Sequence, residues 1–143
     1  MNTPSASPLP LAFINGWPIN IASLRQAVFE IGNAAARGES FAAFTLNLDH
    51  LDKLKRDPCF RRAYKAARFI TADGAPVAYF ASRQGERVER TTGADLVIPL
   101  AIEAAKERLP IYLFGTQQDI LSGSTSVLLK HAALMCTRSA RAL

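Results

Sequence analysis

The spacing of apolar residues along the first part of the chain predicts a hairpin followed by a helix. Short apolar segments at residues 11–14 and 19–21 flank Asn15-Gly16, a dipeptide that readily adopts the positive φ angles of a tight hairpin turn. Between residues 23 and 37 the apolar positions recur every three or four residues, and Gly38 follows them. This pattern predicts an amphipathic helix ended by a glycine.

The rest of the chain alternates between short apolar runs and longer amphipathic segments. The apolar runs predict buried strands at residues 41–46, 69–72 and 111–114, and a further strand at 76–81. Helices are predicted after Asn47, from Asp57-Pro58 to Ala67, and over residues 95–108, with a polar loop at 83–92. Strands that alternate with helices predict an α/β domain whose mostly parallel, Rossmann-like sheet is flanked by helices.

Asn47, Asp73-Gly74 and Gly115 each follow one of the predicted parallel strands. Because the carboxyl ends of parallel strands meet at one edge of a sheet, one cleft is expected to gather these residues. Asp73 is suited to accept a proton from a substrate hydroxyl, since Gly74 permits a tight turn and leaves the carboxylate at the cleft. An aspartate before glycine also commonly serves the turn itself, and the residue pattern leaves both interpretations open.

The sequence lacks the glycine-rich motifs G-x-G-x-x-G and G-x-x-x-x-G-K-[ST], and it lacks a D-x-D triplet to hold a divalent ion against a nucleotide diphosphate. A glycosyl transfer would therefore need basic side chains and helix N-termini to stabilise the leaving phosphate. Arg90, beside Thr91, Thr92 and Gly93, is the candidate, and an exposed loop charge is the alternative. Gly115 lies between a predicted strand and a predicted helix, where free N–H groups bind phosphate.

Other motifs that the chain lacks exclude further classes of protein. No apolar run approaches the roughly 18 residues that cross a bilayer, and the G-x-S-x-G signature of hydrolases is missing. The two histidines and two cysteines lack metal-ligand spacing, so surface or helix-cap roles are expected for His50 and His131, and a reducing compartment for Cys59 and Cys136. Residues 1–10 lack the pattern of a signal peptide and are expected to be a disordered leader.

The formal charge of +5 is concentrated in the middle of the chain, where residues 51–90 carry ten basic and five acidic side chains. Such a stretch is typical of a surface that meets nucleic acid, anionic lipid or a phosphorylated substrate. A solvated helix face is the plainer alternative. The basic residues concerned are Lys53, Lys55, Arg56, Arg61, Arg62, Lys65 and Arg68.

Five segments, in this order, resemble the motifs of one protein family. They are T-L-N-L-D-H-L (45–51), D-P-C-F-R-R-A-Y (57–64), T-A-D-G-A-P-V (71–77), E-R-T-T-G-A-D-L (89–96) and Y-L-F-G (112–115). Their order and spacing resemble the WecG/TagA/CpsF family of bacterial glycosyltransferases. The similarity runs from about Leu11 to about Leu129, so residues 11–129 are expected to form the glycosyltransferase domain.

The resemblance implies that a sugar, often of the N-acetylmannosamine type, is transferred from a UDP-sugar to a polyprenol-diphosphate-linked acceptor at the inner membrane face. It implies inversion at the anomeric carbon without a metal or other cofactor. By motif, Asp73 would be the general base, Thr45 and Asn47 would line the cleft, and Arg90 would contact the phosphates. The remaining residues of the expected substrate-binding set are Gly93, Asp95 and Gly115.

The resemblance does not extend through residues 130–143, which form a divergent tail. Members of the family continue past the Y-L-F-G strand with further strands, helices and a basic C-terminal segment, so the fold is expected to be incomplete at its C-terminus. The chain is then expected to be either a cytoplasmic enzyme completed by self-association, with weak peripheral contact to the plasma membrane, or an inactive remnant. A basic nucleic-acid-binding module ranks last, because no aromatic-basic RNA motif is present.

Overall fold

The computed structural model describes residues 6–114, 123, 126–127 and 138–139. It confirms a mixed α/β fold in which a parallel strand pair is flanked by helices and preceded by an antiparallel hairpin. In chain order the elements are β1 (Ala12–Ile14), β2 (Trp17–Ile19), α1 (Leu24–Ala36), β3 (Ala42–Leu46), α2 (Leu48–Arg56), α3 (Pro58–Lys65), β4 (Ala67–Ala72), α4 (Ala75–Ser82), α5 (Gly93–Lys106), β5 (Tyr112–Leu113) and β6 (Arg138–Ser139).

The predicted hairpin is confirmed. It turns through Asn15 and Gly16, whose φ angles of 49° and 81° both lie in the left-handed region that this class of turn requires. Ile14 pairs with Trp17 across the turn. The second strand therefore begins at Trp17, two residues before the predicted start.

Polar side chains at the helix starts explain why most of the predicted helices form. Ser23, Asn47, Asp57 and Thr92 are the N-cap residues of α1, α2, α3 and α5, and each side chain accepts a hydrogen bond from a backbone N–H of the first turn. The helix predicted to reach Ala67 ends at Lys65. The helix predicted from residue 95 begins at Gly93, and Pro99 lies in its second turn.

Residues 76–81 form helix α4 (Ala75–Ser82) instead of the predicted strand. Pro76 lies in the first turn of this helix, where a proline costs no hydrogen bond. The run is apolar on nearly every position, so its periodicity distinguishes poorly between a strand and a buried helix. The packing decides, because the buried side chains lie on one helical face: Val77, Ala78 and Ala81.

The parallel pair β3–β4 lies between two layers of side chains. On one face, Ile70 of β4 packs in a cluster with the hairpin and helices α2, α3 and α4. On the other face, the adjacent Phe69 packs with α1 and α5. The alternation of neighbouring residues between the two faces is that of a strand buried on both sides.

The edge of β4 that β3 does not occupy is covered by other parts of the chain. The Asn20 side chain accepts from the Ile70 N–H and donates to the Arg68 carbonyl, both at 2.8 Å. The Thr91 N–H donates to the Ala72 carbonyl at 2.8 Å. These bonds extend the sheet beyond β4 and bring residues 90 and 91 to the end of that strand.

The predicted strand at residues 111–114 is confirmed in part, as β5 (Tyr112–Leu113). It pairs in parallel with β6, and within the described residues this pair is distinct from β3–β4. Gly115 and most of the predicted tail at 130–143 lie outside the described residues, as does half of the predicted leader. The expected domain boundaries and C-terminal incompleteness therefore stay predictions.

Arg68 is not part of the basic surface with which the sequence grouped it. Its guanidinium is buried and forms an ion pair with Glu39, which also accepts from Arg37. The hydrogen bonds from Arg37 and Arg68 lower the pKa of Glu39 to about 2. This ion pair joins the segment before β3 to the start of β4.

We predict an acid-sensitive contribution to stability from Glu39. Because its pKa is lower in the folded chain than in the unfolded one, its contribution is present above about pH 4.5 and is lost as the pH falls towards 2. Urea unfolding at stepped pH should show the midpoint of the native chain falling through this range, and Glu39→Gln should remove part of that fall. Glu86→Gln, at an exposed position, is the control. Equal acid sensitivity in Glu39→Gln and the native chain would contradict the assignment.

Candidate active site

Three chain segments reach the same edge of the sheet and each continues into a helix. β3 leads into α2, β4 leads into α4, and the segment through Arg90, which bridges in parallel to Ala72, leads into α5. Three helix N-termini therefore lie at the carboxyl edge of the parallel strands. This is the edge at which open α/β sheets bind ligands, and N-termini there favour anions.

Asp73 lies directly after β4 at this edge and is half-buried. Its backbone N–H donates to the Leu46 carbonyl at 2.8 Å, and its Oδ2 accepts from Thr45 Oγ1 at 3.0 Å. Both bonds depend on the register of the parallel pair, in which Leu46 lies beside the residue before Asp73. The strands therefore fix the main chain and the carboxylate of Asp73 together.

The turn after Asp73 does not use the aspartate side chain as a cap. Gly74 is the N-cap residue of α4 and has a φ of 100°, a conformation that glycine adopts without strain. No side chain caps this helix. The hydrogen bond that the structure gives the Asp73 carboxylate instead runs across the sheet edge to Thr45.

Gly93, the first residue of α5, lies next to Thr45. A methyl group added to Gly93 would be 3.9 Å from both Cγ2 and Oγ1 of Thr45, an ordinary contact distance. The structure thus brings together three of the residues singled out in the sequence: Thr45, Asp73 and Gly93.

Arg90 and Asp95 form a second group at the start of α5. Asp95 Oδ2 accepts from the Thr92 N–H at 2.9 Å, while the Asp95 N–H donates to Thr92 Oγ1 at 3.1 Å, a reciprocal capping box. These bonds to Thr92 lower the pKa of Asp95, and the charge of Arg90 lowers it further. The guanidinium of Arg90 is exposed, and its Nη2 lies 3.9 Å from Asp95 Oδ2. Asp95 thus has a capping role, and Arg90 provides an exposed cation near the end of β4.

Asn47 also combines a structural role with a place at the edge. Its Oδ1 accepts from the His50 N–H at 2.8 Å and so caps α2. Asn47 follows the last residue of β3, two positions after Thr45. Gly115, the remaining member of the expected set, lies outside the described residues.

The sequence did not indicate the contacts that support Thr45 from the other side. Tyr64, on α3, donates from its hydroxyl to the Thr45 carbonyl at 3.3 Å, and the same hydroxyl lies 2.6 Å from Nδ1 of His50. Burial raises the pKa of Tyr64 well above its ordinary value, and the charge of Asp73 raises it further. Phe60 and Tyr64 are four residues apart, as on one face of a helix, and this spacing could have predicted that Tyr64 lies in the core.

Outside this edge, the described residues show few other features that bear on function. Among them, no group of three or more histidine, cysteine or acidic side chains is arranged to hold a metal ion. Within the same part of the chain, no helix has both the length and the apolar character that crossing a bilayer requires. His131 and Cys136 lie outside the described residues, and Cys59 is exposed as a free thiol.

The sequence matches the model of one protein family over most of its length. The model of the glycosyl transferase WecG/TagA/CpsF family matches residues 12–136, which include all of the site residues named above. A comparison with curated proteins gives no match. Family membership supports a glycosyltransferase role. Since the match covers most of the sequence, this chain belongs to the WecG/TagA/CpsF family of glycosyl transferases.

Proposed function

We propose that the chain transfers a sugar, of the N-acetylmannosamine type, from a UDP-sugar to a polyprenol-diphosphate-linked acceptor, in the synthesis of a surface polysaccharide or cell-wall polymer. The observation that carries the proposal is the Asp73 carboxylate, held by Thr45 at a sheet edge where three helices begin. A carboxylate at such an edge can serve as a base close to a bound phosphate ester.

In the proposed reaction Asp73 takes the proton from the attacking hydroxyl of the acceptor. The hydroxyl oxygen forms a bond to the anomeric carbon while the bond from that carbon to the diphosphate oxygen breaks, and UDP leaves with the electron pair. Attack opposite to the leaving group inverts the anomeric configuration. Thr45 donates to Oδ2 of Asp73 and holds the carboxylate in one orientation for this transfer.

The leaving diphosphate needs positive charge, which we assign to Arg90 and to the N-termini of α4 and α5. Arg90 is exposed and lies 3.9 Å from Asp95, so it is loosely tethered and available to a ligand. No side chain caps the first turn of α4, and since Pro76 lacks an N–H and Ala78 donates to Gly74, the N–H groups of Ala75 and Val77 remain for an anion. With these groups on the diphosphate, the transfer requires no metal ion.

We further propose that the basic face of α2 and α3 lies against the cytoplasmic surface of the plasma membrane, where the acceptor resides. α2 starts from Asn47 at the proposed site, so this face adjoins the edge that binds substrate. Arg61 donates to the carbonyls of Leu54 and Lys55 and so contributes to the end of α2. The exposed basic residues of the face are Lys53, Lys55, Arg56, Arg62 and Lys65.

We also propose that copies of the chain associate with one another. Tyr79 and Phe80 on α4 are each 59% exposed, and their rings contact each other. Phe13 of the hairpin is 54% exposed. Exposed aromatic surface of this kind favours contact between copies of the chain.

The direct prediction is that Asp73→Asn abolishes most of the transfer. The amide cannot take the proton of the acceptor hydroxyl, and loss of a general base typically costs about 10²-fold or more in rate. Transfer to a polyprenol-linked acceptor should be measured beside circular dichroism, with Glu86→Gln at an exposed loop position as the control. Near-normal transfer by a folded Asp73→Asn variant would refute the assignment.

Arg90→Gln should weaken the binding of UDP. The binding that the variant retains should not depend on a metal ion. A hydrogen bond from a charged group contributes about 1.5–3 kcal/mol, so the dissociation constant should rise roughly tenfold or more. Calorimetry with a chelator present, using Arg87→Gln as the exposed control, would measure this. UDP binding that disappears with the chelator, or a preference for NAD, would contradict the proposal.

Binding to vesicles should depend on anionic lipid and on the basic face. Each basic residue near such a surface contributes about 1 kcal/mol, so Lys55→Gln with Lys65→Gln should lower the partition coefficient by more than tenfold. Arg83→Gln with Arg87→Gln removes the same charge from another exposed part of the chain. Equal losses in both double variants, or equal binding of the native chain to neutral vesicles, would argue against this face.

A further inference from the structure

Tyr64 is buried among aromatic rings. Its side chain is 2% exposed, and the rings of Phe44, Trp17, Phe60 and His50 contact it. Phe44 stacks on it with centroids 4.7 Å apart and planes 14° apart, while Trp17 and Phe60 approach at 5.7 and 5.2 Å. Because the ring cannot turn or shift without disturbing these contacts, the position of its hydroxyl is fixed by packing.

The hydroxyl joins two groups that belong to different elements. It donates to the Thr45 carbonyl of β3 at 3.3 Å and lies 2.6 Å from Nδ1 of His50 on α2. A phenol carries one hydrogen, and that hydrogen is used on Thr45. With the phenol hydrogen on Thr45, the arrangement calls for the neutral His50 tautomer that carries its hydrogen on Nδ1.

Thr45 connects these hydrogen bonds to the proposed catalytic base, Asp73. The Thr45 carbonyl is held by Tyr64, and the Thr45 hydroxyl is bonded to Asp73 at 3.0 Å. Since burial and the charge of Asp73 both raise the pKa of Tyr64, the phenol stays neutral and keeps its donor hydrogen.

We propose that Tyr64, oriented by His50, is a positioning residue that fixes Thr45 and, through it, the carboxylate of Asp73. The inference rests on the proposed function, because it assigns Tyr64 a part in placing the base. The competing interpretation is a core tyrosine whose hydroxyl is merely satisfied by nearby polar atoms.

The first test is Tyr64→Phe, which keeps the ring and removes only the hydroxyl. We expect kcat to fall between about 10-fold and 10²-fold with little change in KM for the donor, because the loss concerns geometry at the reacting groups. Tyr112→Phe makes the same change at an exposed position and should leave kcat unchanged.

Two substitutions of His50 test the donor nitrogen. His50→Asn keeps an N–H close to the place of Nδ1, whereas His50→Leu removes it. We expect His50→Asn to retain most of the activity and His50→Leu to lose about as much as Tyr64→Phe. Equal loss in both His50 variants would overturn the role assigned to this nitrogen.

A readout that does not depend on turnover is the tautomer of His50, measured by nitrogen NMR at a pH where the ring is neutral. We expect the hydrogen on Nδ1 in the native chain and a shift towards Nε2 in Tyr64→Phe. A native ring protonated on Nε2 alone would overturn the inference, because the phenol would then donate to His50 and not to Thr45. This measurement and the His50 variants decide the matter even if Tyr64→Phe does not fold.

Comparison with Asp73→Asn separates this inference from the proposed function. If Asp73→Asn is inactive while Tyr64→Phe equals Tyr112→Phe in activity, the positioning role is rejected and the base assignment stands. If Asp73→Asn transfers sugar normally, the base assignment is rejected, and the positioning role that rests on it is rejected with it.

Discussion

The hydrogen bond from Thr45 to Asp73 is the interaction on which the proposed chemistry depends. It forms only because β3 and β4 run in parallel with a register that places the end of one strand beside the end of the other. The bond from the Asp73 N–H to the Leu46 carbonyl fixes the main chain, and the positive φ of Gly74 then directs the chain into α4. A slip of one residue in this register would move Thr45 to the opposite face of the sheet and leave Asp73 without its partner.

Some charged side chains around the parallel strands stabilise the fold, and others are available to bind substrate. Asp95 uses its carboxylate to cap α5, so it helps to build the site. Glu39 and Arg68 neutralise each other in an ion pair beyond the opposite end of the strands. Arg90 and the uncapped start of α4 remain available for the diphosphate, while Asp73 remains available for the proton. The edge thereby offers positive groups to the leaving group and a base to the acceptor.

Much of the fold was predictable because its signals are local. Asn15-Gly16 specifies a turn, and Asp57-Pro58 specifies a helix start, through bonds within a few residues. Residues 76–81 were mispredicted because an apolar run carries no clear period, and only its packing shows that it is a helix. The pairing of Thr45 with Asp73 required the parallel alignment of two strands, which the alternation of elements did predict in outline.

The rest of the site could not be predicted, because it depends on contacts between residues far apart in the sequence. Tyr64 reaches Thr45 from 19 positions away, and Arg68 reaches Glu39 from 29. Composition alone places Arg68 with the exposed basic residues, whereas the structure buries it. His50 was expected on the surface or at a helix cap. Its contact with the buried Tyr64 hydroxyl depends on the packing of α2 against α3, which the sequence does not reveal.

The central claim is that the carboxylate held by Thr45 acts as a base in a single displacement at the anomeric carbon. The measurement that tests it most directly is the anomeric configuration of the first product formed from a UDP-sugar of known configuration, followed by NMR before any equilibration. We predict a product of inverted configuration. A product that retains the configuration of the donor would contradict it, because retention by two displacements requires an enzyme nucleophile at the place where we assign a base.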